Sequence, residues 1–269
     1  MWTMLKKRRR QNFMRTSFVL LLLAVVLAAN AQNNLKHEAG QQTSGRLVAP
    51  VGSETKRLAD DQLTTKQLRD SLRAASDLLA YHPDSLDLRL RKAAWNLLLE
   101  QWDYAKTEYD YVIARDPSNL AARYYRAFAN EKLKRYNFAR LDYERVLTVV
   151  PGNFNAQLGL ALLNQRDSHF TEALDQINRM VEQFPDSAVV YAARGGMEKE
   201  RGMKELAVYD YREAIKLDPQ CVDYRVALTD LLISLKRRDE ALAELDSLER
   251  MGVGAYALQQ LRMRARKLK

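Results

Sequence analysis

Apolar residues along most of this chain fall at the three- and four-residue spacing that lines one face of a helix. The pattern predicts helices at about 86–99, 102–115, 120–133, 136–149, 154–166, 170–183, 188–201, 204–217, 222–235 and 238–250. Upstream, 62–81 reads as one further amphipathic helix, with Leu63, Leu68, Leu72, Ala75, Leu78 and Leu79 on its apolar side. Downstream, 255–269 places Leu258, Leu261, Ala265 and Leu268 on one face and five cations elsewhere, as expected of a solvating cap. Residues 32–61, rich in Gln, Asn, Gly, Ser and Thr, carry no helical or strand period and read as a flexible tether.

The helices are punctuated at a fixed interval. Pro83, Pro117, Pro151, Pro185 and Pro219 each stand 34 residues from the next, and Pro50 alone is outside the series. Ala105, Ala139, Ala173, Ala207 and Ala241 keep the same phase, as do Tyr109, Tyr143, Ile177, Tyr211 and Leu245. A second set of small residues, Ala93, Ala127, Ala161, Gly195 and Thr229, lies twelve positions before the alanines. A small residue midway along each of two antiparallel helices lets their axes approach, and the larger side chain one turn later fills the groove beside it. Proline then ends the second helix, because it lacks a backbone donor and does not fit a helix interior. Around the prolines, Asp116, Ser118 and Asn119, Gly152 and Asn153, Asp186 and Ser187, and Asp218 supply turn and N-cap chemistry for the next helix.

A 34-residue period of paired helices resembles the tetratricopeptide repeat (TPR). The stretches that carry the resemblance best are Tyr191, Ala192, Ala193, Arg194 and Gly195 leading to Ala207, Tyr211, Ala214 and Pro219, and Tyr124, Tyr125, Arg126 and Ala127 leading to Tyr136, Ala139, Tyr143 and Pro151. The chain also departs from the repeat. The tryptophan expected early in the first helix is Arg89, Arg123, Gln157, Tyr191 or Arg225, and the leucine before the small residue is Lys92, Arg126 or Arg194 in three repeats. The resemblance implies an all-α fold, a right-handed solenoid of helical hairpins. Five full repeats cover 84–252, with a partial repeat helix at 62–83 and a basic capping helix at 253–269.

Charge changes this picture only once it is located. The chain of 269 residues has 43 Lys and Arg against 34 Asp and Glu, a net +9 of the kind seen in nucleic-acid binders. Six of the cations, Lys6, Lys7, Arg8, Arg9, Arg10 and Arg15, precede an apolar run at 18–29 that ends in Ala29, Asn30 and Ala31. That order is a basic segment, a hydrophobic segment too short to span a bilayer, and a small-residue cleavage site. Residues 1–31 therefore read as a secretory signal peptide, and the mature protein is expected in the periplasm or secreted. An uncleaved N-terminal membrane anchor is the alternative. Five more cations, Arg262, Arg264, Arg266, Lys267 and Lys269, close the chain, leaving residues 32–261 at −2. A near-neutral body in an exported protein argues against nucleic acid.

Candidate chemistry is sparse. His37, His82 and His169 are scattered, and none has a ligand-type neighbour at metal-binding spacing, so no metal site is expected. Gly195 with Gly196 sits mid-helix, and Gly252 with Gly254 follows a helix; neither pair opens a phosphate loop. No cofactor or catalytic constellation is read, and the chain is expected not to be an enzyme. Cys221, the one cysteine, reads as an inert, partly apolar residue, with intermolecular pairing as the alternative.

TPR proteins generally bind peptides or partner proteins on the concave surface formed by their first helices, so the resemblance implies an exported scaffold or adaptor. Its groove positions fall on Leu90 and Ala94, Tyr124 and Phe128, Leu158 and Leu162, Ala192 and Gly196, and Val226 and Asp230. The Lys and Asn pattern that clamps a C-terminal carboxylate is missing. The apolar lining of the first three repeats, Leu90, Tyr124, Phe128, Leu158 and Leu162, instead fits an amphipathic helix or apolar segment. The other reading is that these side chains are covered by neighbouring repeats or by the N-terminal segment. For the terminal cations, contact with anionic lipid stands beside simple solvation of a helix end. The alternative function is a structural subunit of an envelope assembly, using the outer face and the basic helix.

Overall fold

The computed structural model describes residues 65–268. The expected export signal at 1–31 and tether at 32–61 lie outside the described residues, as do His37, Pro50, Leu63 and Lys269. The described residues form twelve α-helices and no strand. Helix α1 is Thr65–Tyr81, and five hairpins follow: α2 Leu86–Leu98 with α3 Trp102–Arg115, α4 Leu120–Lys132 with α5 Tyr136–Val149, α6 Phe154–Arg166 with α7 Phe170–Gln183, α8 Ala188–Glu200 with α9 Lys204–Leu217, and α10 Val222–Ser234 with α11 Arg238–Arg250. Helix α12, Ala255–Arg266, ends the series. The fold is thus all-α, built from consecutive packed hairpins as the spacing predicts.

Local chemistry sets the ends of the elements. Each of the second helices α3, α5, α7 and α9 stops two residues before its proline. Ser85, Asn119 and Asn153 cap the next helix, accepting from the backbone N–H of Leu88, Ala122 and Ala156. The expected cap at Ser187 makes no side-chain capping bond, and after Pro219 the cap position falls on Cys221. Within each hairpin the turn is tighter. Glu100, Lys134, Ser168, Gly202 and Lys236, again 34 apart, have φ between 60° and 80°. The residue after each donates its N–H to a carbonyl five residues back, as Gln101 does to Asn96 and Arg135 to Asn130. This is the glycine-favouring Schellman termination, here occupied by glycine only at Gly202.

The described residues divide into two compact units, 65–146 and 147–268. In the first, Ala93, Ala105, Tyr109, Val112, Ala122, Tyr125 and Ala129 form a buried core between α2, α3 and α4. In the second, one core gathers Ala161, Ala173, Ile177, Met180, Val190 and Met197, and another gathers Ala207, Leu228, Leu231, Leu232, Ala241, Leu245, Leu248, Leu258 and Ala265. The in-phase small residues are buried throughout, which is what lets the paired axes approach.

One expectation about α1 is corrected. Ala75 and Leu79 are buried and Leu68 and Leu72 half-buried, but Leu78 is 52% exposed. Its counterparts Val112, Val146, Met180, Ala214 and Leu248 are buried in hairpins that each have a first helix, which α1 lacks among the described residues.

Candidate functional site

The positions at which the sequence departs from the repeat carry a recurring set of polar contacts. At the first departure, Arg89 and Arg123 each donate two hydrogen bonds to the carbonyl of the proline six residues earlier, and Gln157 donates one to Pro151. A tryptophan at this place fills space; these side chains instead satisfy the carbonyl of the preceding turn. At the second departure, Lys92, Arg126 and Arg194 reach an acid sixteen residues ahead, in the second helix of the same hairpin. Lys92 meets Glu108 at 2.7 Å, and Arg126 and Arg194 grip Asp142 and Asp210 with paired bonds of 2.7 Å. Arg126 and Arg194 also reach sixteen residues back, to Asp110 and Asn178. Arg262 of α12 keeps this phase and pairs with Asp246 and Glu249. Where the position is Leu160 or Leu228, the leucine is buried; the residue sixteen ahead is then the neutral Gln176 in the first case, and in the second Glu244, which pairs with Arg225 instead at 2.9 Å.

The five proposed partner-binding residues sit at the margin of the cores. Leu90, Tyr124 and Phe128 pack against the core of the first unit, and Leu158 and Leu162 against the second. All five are half-buried. Tyr124 is the most engaged: its ring lies 5.0 Å from Tyr125 and 5.7 Å from Tyr143, and burial pushes its hydroxyl up to about 12. Phe128 lies edge-on to Trp102 at 6.0 Å, and the Lys132 Nζ stands 4.8 Å above its ring. Burial lowers the Lys132 ammonium, an effect Glu100 opposes. The first unit therefore presents an aromatic and aliphatic surface, Leu90, Phe128 and Trp102, with one partly desolvated cation at its edge. Neither Trp102 nor Lys132 is apparent from the groove positions. The signal for Trp102 is the aromatic run at its phase, Trp102, Tyr136 and Phe170, which open three successive second helices.

Further along, the groove positions Ala192 and Val226 pack against the second unit's core, and one position, Asp230, is polar and internally paired. Asp230 accepts from Lys199 at 2.9 Å and from Arg264 at 2.8 Å. Burial alone raises such a carboxyl, but the two cations outweigh it and hold Asp230 below the usual range. Gln165 donates to Glu200 at 2.6 Å. Two of the five terminal cations, Arg262 and Arg264, are thus bound to acids of the same chain, while Arg266 and Lys267 are exposed. Cys221 is half-buried, and burial pushes its thiol up, which disfavours the reactive thiolate. Among the described residues no three His, Cys, Asp or Glu side chains gather as metal ligands, and no helix is long and apolar enough to cross a membrane.

Hairpins of this length, with paired small residues and a proline after each second helix but the last, define the tetratricopeptide-repeat fold. Solved structures agree. A tetratricopeptide repeat protein from Parabacteroides merdae superposes with a TM-score of 0.64 at 18% identity, covering 80% of this chain and 81% of that one. TTC0263, a thermophilic TPR protein of Thermus thermophilus, gives 0.54 at 22% identity over 68% of this chain and 98% of its own. MamA (41-end) from Desulfovibrio magneticus gives 0.53 at 17% identity over 62% and 94%. No protein-family profile and no curated protein sequence matches the chain.

Proposed function

We propose that this protein is a non-enzymatic, exported scaffold that holds a protein or peptide partner against the first helices of its repeats. The observation that carries the reading is the half-buried apolar surface of Leu90, Phe128 and Trp102 in the first unit, which suits an amphipathic helix or apolar segment. Export rests on the basic and apolar order of residues 1–31 and on the near-neutral body behind it.

Tyr124 is a poor probe of this surface, since a charge there is buried against Tyr125 and Tyr143. Leu90 and Phe128 serve better. A photo-crosslinking side chain at position 128 should give a discrete adduct in the envelope fraction, identified by mass spectrometry, while one at the exposed Glu172 should not. Leu90→Gln should weaken the adduct at position 128 with the helical circular dichroism retained. Equal adducts from both positions, or capture indifferent to Leu90→Gln, would remove the basis for this surface as the binding site.

A further inference from the structure

The α8/α9 hairpin holds a buried acid at a place where three other hairpins hold an amide. Positions 96, 130, 164 and 198 are 34 apart and buried; the first three are Asn96, Asn130 and Asn164, and the fourth is Glu198. One repeat earlier the Asn164 amide donates to Oε1 of Gln176 at 3.0 Å, whereas Nδ2 of Asn96 is buried without an acceptor. Asp210 stands 34 residues beyond Gln176, in the place of that acceptor. It is 1% exposed and already accepts two bonds from Arg194. Glu198 is 7% exposed, and its Oε2 has no hydrogen-bonding partner. Gly195 draws the two helices close here: a Cβ added to it would stand 3.2 Å from Asp210 Cβ. Two buried carboxylates facing one guanidinium repel each other, and a carboxyl group donates as an amide does only while it keeps its proton.

We propose that Glu198 is held protonated in the folded protein, donating to Asp210 as Asn164 donates to Gln176, so that the α8/α9 hairpin is a pH-sensitive element that loosens when this carboxyl ionises. Burial first, and then the charge of Asp210, push the Glu198 carboxyl from its ordinary 4.5 to about 7, against the pull of Arg194. Tyr211 on α9 is a further titratable neighbour, raised to about 12 by burial and then by the carboxylates of Glu200 on α8, Asp230 on α10, Asp210 and Glu198. From α7 the Asn178 carboxamide binds Arg194, and from α6 the Gln165 carboxamide binds Glu200. The unfolded chain releases this proton near 4.5 and the folded chain near 7. The folded state therefore binds more protons in that window, and stability falls as pH rises through it and levels off above.

Native-state amide exchange in α8 and α9, corrected for the intrinsic effect of pH on exchange, reads the opening of the hairpin. In the wild type the opening equilibrium should rise by up to about tenfold per pH unit between roughly pH 5 and 7. The slope should vanish in Glu198→Gln and in Glu198→Asn, the second of which restores the residue found in three other hairpins. Infrared difference spectra of the wild type at about pH 6, against either variant, should show the C=O band of one protonated carboxyl, a readout that a purely steric role would not produce. A slope that survives in both variants, or the absence of that band from the wild type, overturns the proposal.

Discussion

Arg126 illustrates how single residues carry this fold. Its guanidinium replaces an apolar side chain of the repeat, and it is retained because Asp142, nearly fully buried, needs a compensating charge. Leu160 with Gln176 is the apolar solution to the same geometry in the next repeat. Removing one partner of a buried pair costs more than removing both, since the partner left behind is charged and desolvated. Arg126→Leu should therefore destabilise the protein by about 2–3 kcal/mol in urea unfolding, at the low end for an uncompensated buried carboxylate. The cost is moderated by Arg123, which stays 3.6 Å from Asp142. Arg126→Leu combined with Asp142→Gln should recover most of that loss. If the double variant is no better than the single one, the ion pair is not what the position requires. The same argument makes the Glu198 site distinctive: a second acid stands where three other hairpins place a neutral asparagine.

At the scale of elements, the two terminal helices end the series differently. Helix α1 has the phase of a second helix and keeps a small residue, Ser71, in register with Ala105 and Ala139. Helix α12 has the phase of a first helix, but Met263 stands where the others have Ala93, Ala127, Ala161, Gly195 and Thr229. Met263 is exposed, and α12 packs on the last core through Leu258 and Ala265 while Arg266 and Lys267 face solvent. Position alone then decides what a substitution costs. Leu78→Gln on α1 should change stability by less than about 0.5 kcal/mol, whereas Val112→Ala at the same phase of α3 should cost about 1–2 kcal/mol. Equal effects in thermal unfolding would show that Leu78 is covered in solution.

For the whole molecule, the net +9 resolves into three populations: six cations ahead of the apolar run, five in the last eight residues, and a body that is slightly acidic. The first population leads to a direct test. N-terminal sequencing of the protein recovered from the envelope or medium should begin at Gln32, and an intact Met1 would refute cleavage. The helices, their hairpin pairing and the fold class were legible in the sequence because a 34-residue period repeats the same local instructions: proline to stop, small residues to approach, Asn or Ser to cap. Each instruction acts within a few residues or one hairpin, so periodicity records it. The positions of Leu90, Tyr124, Phe128, Leu158 and Leu162 on the first helices followed from that phase as well. What they touch did not. The burial of Tyr124 against Tyr125 and Tyr143, the edge contact of Phe128 with Trp102, the closure of Asp230 by Lys199 and Arg264, and the meeting of Glu198 with Asp210 depend on side chains brought together from separate helices. These contacts leave no period in the sequence. Exposure and protonation are set by how closely the helices pack around a group, and only the tertiary structure decides that.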